Sequence, residues 1–368
     1  MKNILFLSPL PPPHYGSAMS SKMCLEILQN SKDFQTKNIK LNYSTSMKDV
    51  GKINLSKITG IFSVLKEIKK QIKEFKPDLI YFVPATSGLG FKRDFLFLKE
   101  LKKTHKGKII FHIRSRVLQR DWNNTKFKRK FINILSGEKV IILGKELIGD
   151  LHKVISQKNI FILPNAIENK ISEKEFKEIN KKRKQDKLRI LFASNMDKTK
   201  GWQKVLMACK ILNEKGINFE CKFVGSWRNQ KDKKEFENFI TKNNLKGKVF
   251  SLGKKTDKDW DNQFREANVF VFPTEYPLET FGRVNVEAMM FGIPVISNSV
   301  ATIPSIIKEN KTGYLLKENS PEEIAKYLEK LESKKLRKSL GIEGRKRFLE
   351  RYELSYYRKD FLKIINSI

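Results

Sequence analysis

Cysteine is scarce in this chain: Cys24, Cys209 and Cys221 are the only three in 368 residues. Their number is odd and no C-x-x-C spacing occurs, which excludes a disulfide framework and a zinc ribbon and fits a reducing compartment. Long apolar runs are missing as well. Nothing approaches the ~18 residues that cross a bilayer, and Ile4 to Leu7 is too short for a signal-peptide core before Pro11, Pro12 and Pro13. A cytoplasmic protein is expected, with peripheral attachment to the inner face of the cell membrane left open. No G-x-G-x-x-G follows the first strand-like run, which disfavours a dinucleotide oxidoreductase. Acidic residues are few, 40 against 74 Lys and Arg, for a formal charge of +34. Such a charge draws polyanions or anionic surfaces and says nothing about fold; it is either a working surface or a compositional lysine bias. A basic nucleic-acid-binding protein would explain it. Zinc-finger, RNP-like and helix-turn-helix patterns are absent, however, so no specific nucleic acid is expected.

What is present is ample core. Hydrophobic residues make up 40%, with 26 Phe, and the length suggests two or three domains. Short apolar runs typical of buried parallel strands stand at residues 3–8, 78–83, 108–113, 138–143 and 159–163, with helical patterns between them. At residues 56–75 the apolar positions Ile58, Ile61, Phe62, Leu65, Ile68, Ile72 and Phe75 share a helical face. Lys57, Lys66, Lys69, Lys70, Lys73 and Lys76 cover the rest, as a solvated surface or one that rests on anionic lipid. The polar run 171–187 (ISEKEFKEINKKRKQDK) reads as a linker, which puts a domain boundary near residue 170. The strand–helix alternation then restarts at 188–193, 219–225, 248–253 and 267–273.

The most informative stretch is 272–316. Glu279 falls on a strand-to-helix loop, and Glu287, eight positions on, falls between one and two turns into the helix. Backbone N–H groups around Phe281 to Val284 are then the unpaired donors of a helix start, which suit a phosphate. A phosphate with a carboxylate on either side suits a sugar–pyrophosphate–nucleoside, because ionised carboxylates accept from sugar hydroxyls and vicinal ribose diols.

The string E-T-F-G-R-V-N-V-E-A-M-M-F-G-I-P-V resembles the signature of family 4 retaining glycosyltransferases, enzymes of the GT-B fold. The resemblance covers nearly the whole chain and is most specific over residues 248–330. It implies two facing Rossmann-like parallel-sheet domains with a cleft between them. Residues 1–170 would form the acceptor domain, completed by about 350–368 as the last helix crosses back, and 171–349 the donor domain. The implied co-substrate is a nucleotide-diphosphate sugar; no other cofactor and no metal is expected. Glu279 would hold the transferred sugar, Glu287 the ribose, and Thr280, Phe281, Gly282 and Val284 would line the donor. Lys200, in SNMDKTKGW, matches the lysine of the family's G-R-x-x-x-x-K-G turn and would hold the diphosphate. Asn195 stands where that turn has arginine, with Arg283 as a candidate replacement. Gly225, Gly253 and Lys254 complete the donor side, the last two facing the base. Gly16 is what remains of the Gly-rich loop that approaches the donor phosphates.

His112, in F-H-I-R-S-R, would reach the donor sugar and join Glu279 and Lys200 as catalytic; alternatively it is packed at a strand end. His14, Arg114 and Arg116, with Arg120 and Trp122 nearby, would grip an anionic acceptor such as a lipid diphosphate, or form a solvated loop. Pro164-Asn165-Ala166 resembles the family's P-N-G. The implied reaction is retaining transfer, with the departing phosphate taking the acceptor's proton. The implied acceptor is a glycan or lipid-linked species of cell-envelope polysaccharide such as lipopolysaccharide or capsule, met at an anionic membrane surface. A GT-B nucleotide-sugar epimerase, which needs no acceptor, is the alternative. Sugar, nucleotide and oligomeric state stay open.

Overall fold

The computed structural model describes residues 1–12, 16–41, 55–86, 88–115, 133–183 and 187–368. His14, Arg116, Arg120 and Trp122, and the side chains of Lys57 and Ile58, lie outside the described residues. The chain divides into two compact units, Met1–Asn165 with Tyr357–Ile368, and Ala166–Tyr356.

The first unit holds six parallel strands: β1 Lys2–Ser8, β2 Phe34–Lys40, β3 Leu79–Phe82, β4 Lys108–Ile113, β5 Lys139–Ile142 and β6 Ile160–Ile162. They lie in the order β2-β1-β3-β4-β5-β6. Helices α1 (Gly16–Gln29), α2 (Leu55–Phe75) and α3 (Gly88–Thr104) connect them. Central strands such as β3 are buried along their whole length, which is why they read as unbroken apolar runs. The edge strand β2 buries little besides Phe34 and Ile39, and its polar FQTKNIK gives no such signal. On α2 the buried positions include Val64, Ile68 and Phe75, whereas Phe62 is 67% exposed. At about 100° per residue Phe62 sits ~120° around the helix from Ile68, off the core stripe. The buried Asp94 of α3 accepts from the Ala85 N–H at 2.7 Å and from Arg93 Nε at 2.7 Å, and so pins the loop that leaves β3. Burial pushes its carboxyl above the ordinary range, against the pull of Arg93.

The second unit runs α4 (Glu173–Lys182), β7 (Leu188–Ala193), α5 (Trp202–Glu214), β8 (Phe219–Val224), α6 (Gln230–Lys242), β9 (Val249–Ser251), α7 (Asp257–Glu266), β10 (Val269–Phe272), α8 (Arg283–Met290), β11 (Val295–Asn298), α9 (Ile303–Ile306), β12 (Gly313–Leu316), α10 (Pro321–Lys330) and α11 (Lys334–Arg351); the last helix, α12 (Leu354–Asn366), belongs from Tyr357 onward to the first unit. The strands of the second unit are parallel in the order β12-β11-β10-β7-β8-β9. Both units match a GT-B fold: two six-stranded parallel sheets dressed with helices.

The run expected to be a linker contains α4 instead. Ser172 accepts from the Glu175 N–H while Glu175 reaches back to the Ser172 N–H, a capping box that fixes the helix start. Phe176 and Ile179 then bury one face of the helix.

Arginines close the far ends of several helices in this unit. Arg183 donates to the carbonyls of Phe264 (2.5 Å) and Phe291 (2.6 Å), just inside the end of α7 and just past the end of α8. Arg345, 2% exposed, donates to the carbonyls of Met290 (2.9 Å) and Ile171 (3.1 Å). Arg347 donates to the carbonyl of Ile306 at 2.8 Å. The last carbonyls of a helix lack partners within it and carry the negative end of its dipole, so a cation there satisfies both needs. Replacing Arg183 by Leu is expected to cost about 3 kcal/mol, since two or more carbonyls lose their donor. Lys234→Met on the surface should stay within ~0.5 kcal/mol. Urea midpoints of the two variants check this.

Candidate functional site

In the second sheet the chain steps outward from β7 through β8 to β9, then returns to the other side of β7 for β10, β11 and β12. The winding reverses between β7 and β10, and open parallel sheets bind ligands at the carboxyl ends of the strands flanking such a reversal. Two loops emerge there, 194–201 after β7 and 273–282 after β10.

They are tied together closely. Glu275 N–H donates to the Thr199 carbonyl at 2.7 Å. Gly201, at φ 82°, passes so near Pro273 that a Cβ would stand 2.3 Å from its carbonyl oxygen. Only glycine tolerates both the left-handed backbone and that approach. The approach delivers Lys200 to Glu279, with Nζ 2.7 Å from Oε2 and both side chains mostly buried (16% and 13% exposed). The ammonium also lies 4.0 Å from the centroid of the Tyr276 ring, a cation–π contact.

Glu279 Oε1 accepts from the Gly282 N–H at 3.1 Å. One of the donors expected to face a phosphate is thus already taken by the loop's own glutamate. Gly282, at φ 67°, is the N-cap of α8, and no side chain caps that helix. Thr280 and Phe281 are buried rather than open: Thr302 donates to the Thr280 carbonyl through its hydroxyl (2.8 Å) and its N–H (3.1 Å). Phe281 packs edge-on against Tyr352 at 6.1 Å. Val284 is half-buried on the first turn.

Glu287 sits further along α8. Its Oε1 accepts from Arg283 Nε at 3.1 Å and its Oε2 from the Trp260 indole N–H at 3.2 Å. Burial raises its carboxyl above the ordinary range, opposed by Arg283, Trp260 and Lys170. Arg283, the candidate replacement for the arginine missing at position 195, is therefore engaged with Glu287 in this structure. Asn195 is exposed in the loop after β7, and Lys254 is exposed beyond β9. Gly225 N–H donates to the Gly253 carbonyl at 2.9 Å, joining the loops after β8 and β9.

Three features escaped sequence reasoning. Trp260 was passed over inside a polar helix. Asn285 is wholly buried on α8, with no partner for either amide atom among the described residues; nothing in the sequence marks it. The spacing D-x-D occurs twice, as Asp257-Lys258-Asp259 and Asp259-Trp260-Asp261, both on α7. Asp257 and Asp259 are exposed in its first turn, where negative charge complements the helix dipole, and Asp261 pairs with Lys170 at 2.8 Å.

In the first unit His112 is completely buried at the end of β4. Its Nδ1 meets the Tyr81 hydroxyl and accepts from Arg114 at 3.2 Å, and its Nε2 has no partner among the described residues. Burial, with Arg114 beside it, holds the imidazole well below the ordinary histidine range. Arg114 also points inward, to Cys24 Sγ (3.1 Å) and Asn165 Oδ1 (3.2 Å). Cys24 Sγ lies 3.0 Å from the Tyr357 hydroxyl, and Phe361 packs edge-on against Tyr81 at 5.7 Å. The packed alternative for His112 is thus the arrangement seen. Gly16 opens α1 with nothing within 4 Å of where a Cβ would stand.

Residues 172–347 match the family described as glycosyl transferases group 1. The match lies in the second unit and spans 176 of the 368 residues. Among curated relatives, an uncharacterized 41.2 kDa protein in the cps region of Klebsiella pneumoniae is 28% identical over 77% of this chain and 76% of its own length. The capsular polysaccharide biosynthesis glycosyltransferase CapM of Staphylococcus aureus is 29% identical over 65% of this chain and 59% of its own. The crystal structure of Anabaena Alr3699/HepE in complex with UDP and glucose superposes with a TM-score of 0.71 at 15% identity, covering 100% of both chains, a likeness of fold. The glycosyltransferase-like signature thus lies in the second unit, running from the end of the loop after β10 through α8 to the start of β11.

Two outcomes follow from this geometry. Gly201→Ala should cost roughly 2 kcal/mol through strain and the clash with Pro273, whereas Gly16→Ala should be neutral; thermal midpoints compare them. His112 is neutral when folded and protonates near pH 6.5 when unfolded. As pH falls below ~6.5 the unfolded state binds the extra proton, so stability drops by up to ~1.4 kcal/mol per pH unit. The wild type should lose more stability between pH 7.5 and 5.5 than His112→Gln does, as read from urea unfolding.

Proposed function

We propose that this group 1 glycosyltransferase moves a sugar, with retention of configuration, from a nucleoside-diphosphate sugar to a glycan or lipid-linked acceptor in cell-envelope polysaccharide synthesis. One observation supports this most: Lys200 and Glu279 meet at the carboxyl ends of β7 and β10, at the mouth of the helix that carries Glu287. Lys200, with the remaining N–H groups of the α8 start, neutralises charge as it builds on the departing diphosphate. Glu279, fixed by Lys200 and the Gly282 N–H, accepts from hydroxyls of the transferred sugar, and Glu287 accepts from the ribose. The departing phosphate takes the proton of the acceptor hydroxyl, so no separate base is required. The roles of relatives point the same way: CapM by its name makes capsular polysaccharide, and the Anabaena protein binds UDP and glucose.

In this reading the lipid end of the acceptor rests on the basic exterior of the first unit. Lys66, Lys69, Lys70 and Lys73 of α2 are exposed there, beside the exposed Phe62. No helix among the described residues is long and apolar enough to cross a membrane.

The test is thermal stability against UDP, GDP, ADP, CMP and a short single-stranded DNA. A nucleoside diphosphate at ~100 times its dissociation constant should add ~2.7 kcal/mol, and Glu287→Ala should lose that shift. Lys200→Ala should lower turnover by roughly 10²–10³-fold, and activity should survive EDTA. Stabilisation by DNA alone, abolished by salt, overturns the proposal.

A further inference from the structure

Glu287 is held from two sides, and the two partners differ in kind. Arg283 lies one turn back on the same helix, 48% exposed, and touches Oε1 through Nε alone. Trp260 comes from α7 and touches Oε2 through its indole N–H at 3.2 Å. An ionised carboxylate offers about four lone-pair sites, two on each oxygen. With one donor on each oxygen, one site remains on each, which matches the two adjacent hydroxyls of a ribose.

The alternative geometry is close at hand. A guanidinium presents parallel N–H groups that fit both oxygens of a carboxylate at once. With Nε already on Oε1, a turn of Glu287 that carried Oε2 from the indole to a terminal nitrogen of Arg283 would close that fork and re-aim the site left free on each oxygen. The indole opposes the turn by keeping Oε2 on the α7 side.

Trp260 is well placed to do so because α7 is anchored around it. Its ring packs on Phe264 at 5.5 Å, and Phe264 is fully buried, with its carbonyl held by Arg183 at 2.5 Å. The next residue, Asp261, receives Lys170 Nζ on both oxygens at 2.8 and 2.9 Å. Among the described residues, Trp260 is the only aromatic side chain hydrogen-bonded to either signature glutamate.

We propose that Trp260 is a positioning residue for the donor's ribose: its indole N–H holds Glu287 out of a two-pronged pair with Arg283 and so keeps the remaining site on each carboxylate oxygen aimed at a vicinal diol. This rests on the donor-site reading above. The indole touches the carboxylate and not the nucleotide, so it acts through Glu287.

The experiment titrates UDP and 2′-deoxy-UDP into the full-length wild type, Trp260→Phe and Glu287→Ala by calorimetry. Guanine or adenine pairs replace them if the stability screen selects that base. Phenylalanine keeps the packing on Phe264 and removes only the N–H donor. The wild type should prefer the ribonucleotide roughly tenfold, the scale of a hydrogen bond to a charged group. Trp260→Phe should bring that preference close to parity while its affinity for the 2′-deoxy nucleotide changes less than about twofold, the internal check that the site is intact. A purely structural role would weaken both nucleotides equally, and that result overturns the proposal. So does a wild-type preference that Trp260→Phe retains and Glu287→Ala abolishes; in that case the donor-site reading survives and only the role of the indole falls. A wild type that binds no nucleoside diphosphate, or shows no ribose preference, sinks the donor-site reading and this inference with it.

Discussion

In an all-parallel sheet each strand must return to its starting edge through a crossover, so every carboxyl end emerges on one side. Where the crossovers change direction, two neighbouring loops part and leave room above the strands. In the second unit that place is β7 against β10, and the loops leaving those strands carry Lys200 and Glu279. The site depends on this constraint more than on any single contact. Gly201 then narrows the gap by bringing its backbone against Pro273, closer than any side chain permits. Without that approach the lysine and the glutamate, 79 residues apart in sequence, would have no reason to meet.

Charge plays two distinct parts in this chain. Lysines dominate the exposed faces of helices, and many lie in single, solvated ion pairs such as Lys22–Glu26 and Lys233–Glu237, which contribute little to stability. Several arginines do something different. Arg183, Arg345 and Arg347 reach backbone carbonyls at or near helix ends, where a planar group with five donors satisfies acceptors that the helix itself leaves unpaired. Arg114 of the first unit is likewise turned inward: its guanidinium faces a thiol, an imidazole, an amide and the Ser20 carbonyl. These arginines thus serve the architecture, in contrast to the exposed lysines of α2.

Much of the fold is legible because central parallel strands are mostly apolar, and β3, β4, β7 and β10 stand out on that ground; β8 (FECKFV) alternates instead, with Glu220 and Lys222 half-buried. The strand β2 does not stand out, because an edge strand with two buried side chains is mostly polar. The helix α4 reads as a linker although its S-E-K-E start carries a capping signal, because seven of its ten residues are lysine or glutamate and only Phe176 and Ile179 are buried. The glutamate pair and its glycine were legible as a motif, since a strand-to-helix loop that meets a phosphate constrains consecutive residues. Trp260 and Asn285 were not, for their significance lies in which atoms they face across helices, and no spacing encodes that.

The α/β class, the resemblance to a glycosyltransferase family and the candidate residues for a nucleotide sugar are all legible in the order of residues alone. Those rest on local constraints: apolar periodicity, a turn that requires glycine, and carboxylates a fixed number of residues apart. Only the tertiary structure decided that Lys200 pairs with Glu279, that His112 is buried against Tyr81 and Arg114, and that Glu287 is shared between Arg283 and an indole from another helix. Each of the three is a contact, wholly or in part, between elements distant along the chain. The physical reason is that hydrogen bonds and ion pairs act over about 3 Å, and what lies within that distance is set by packing, which the order of residues alone does not display.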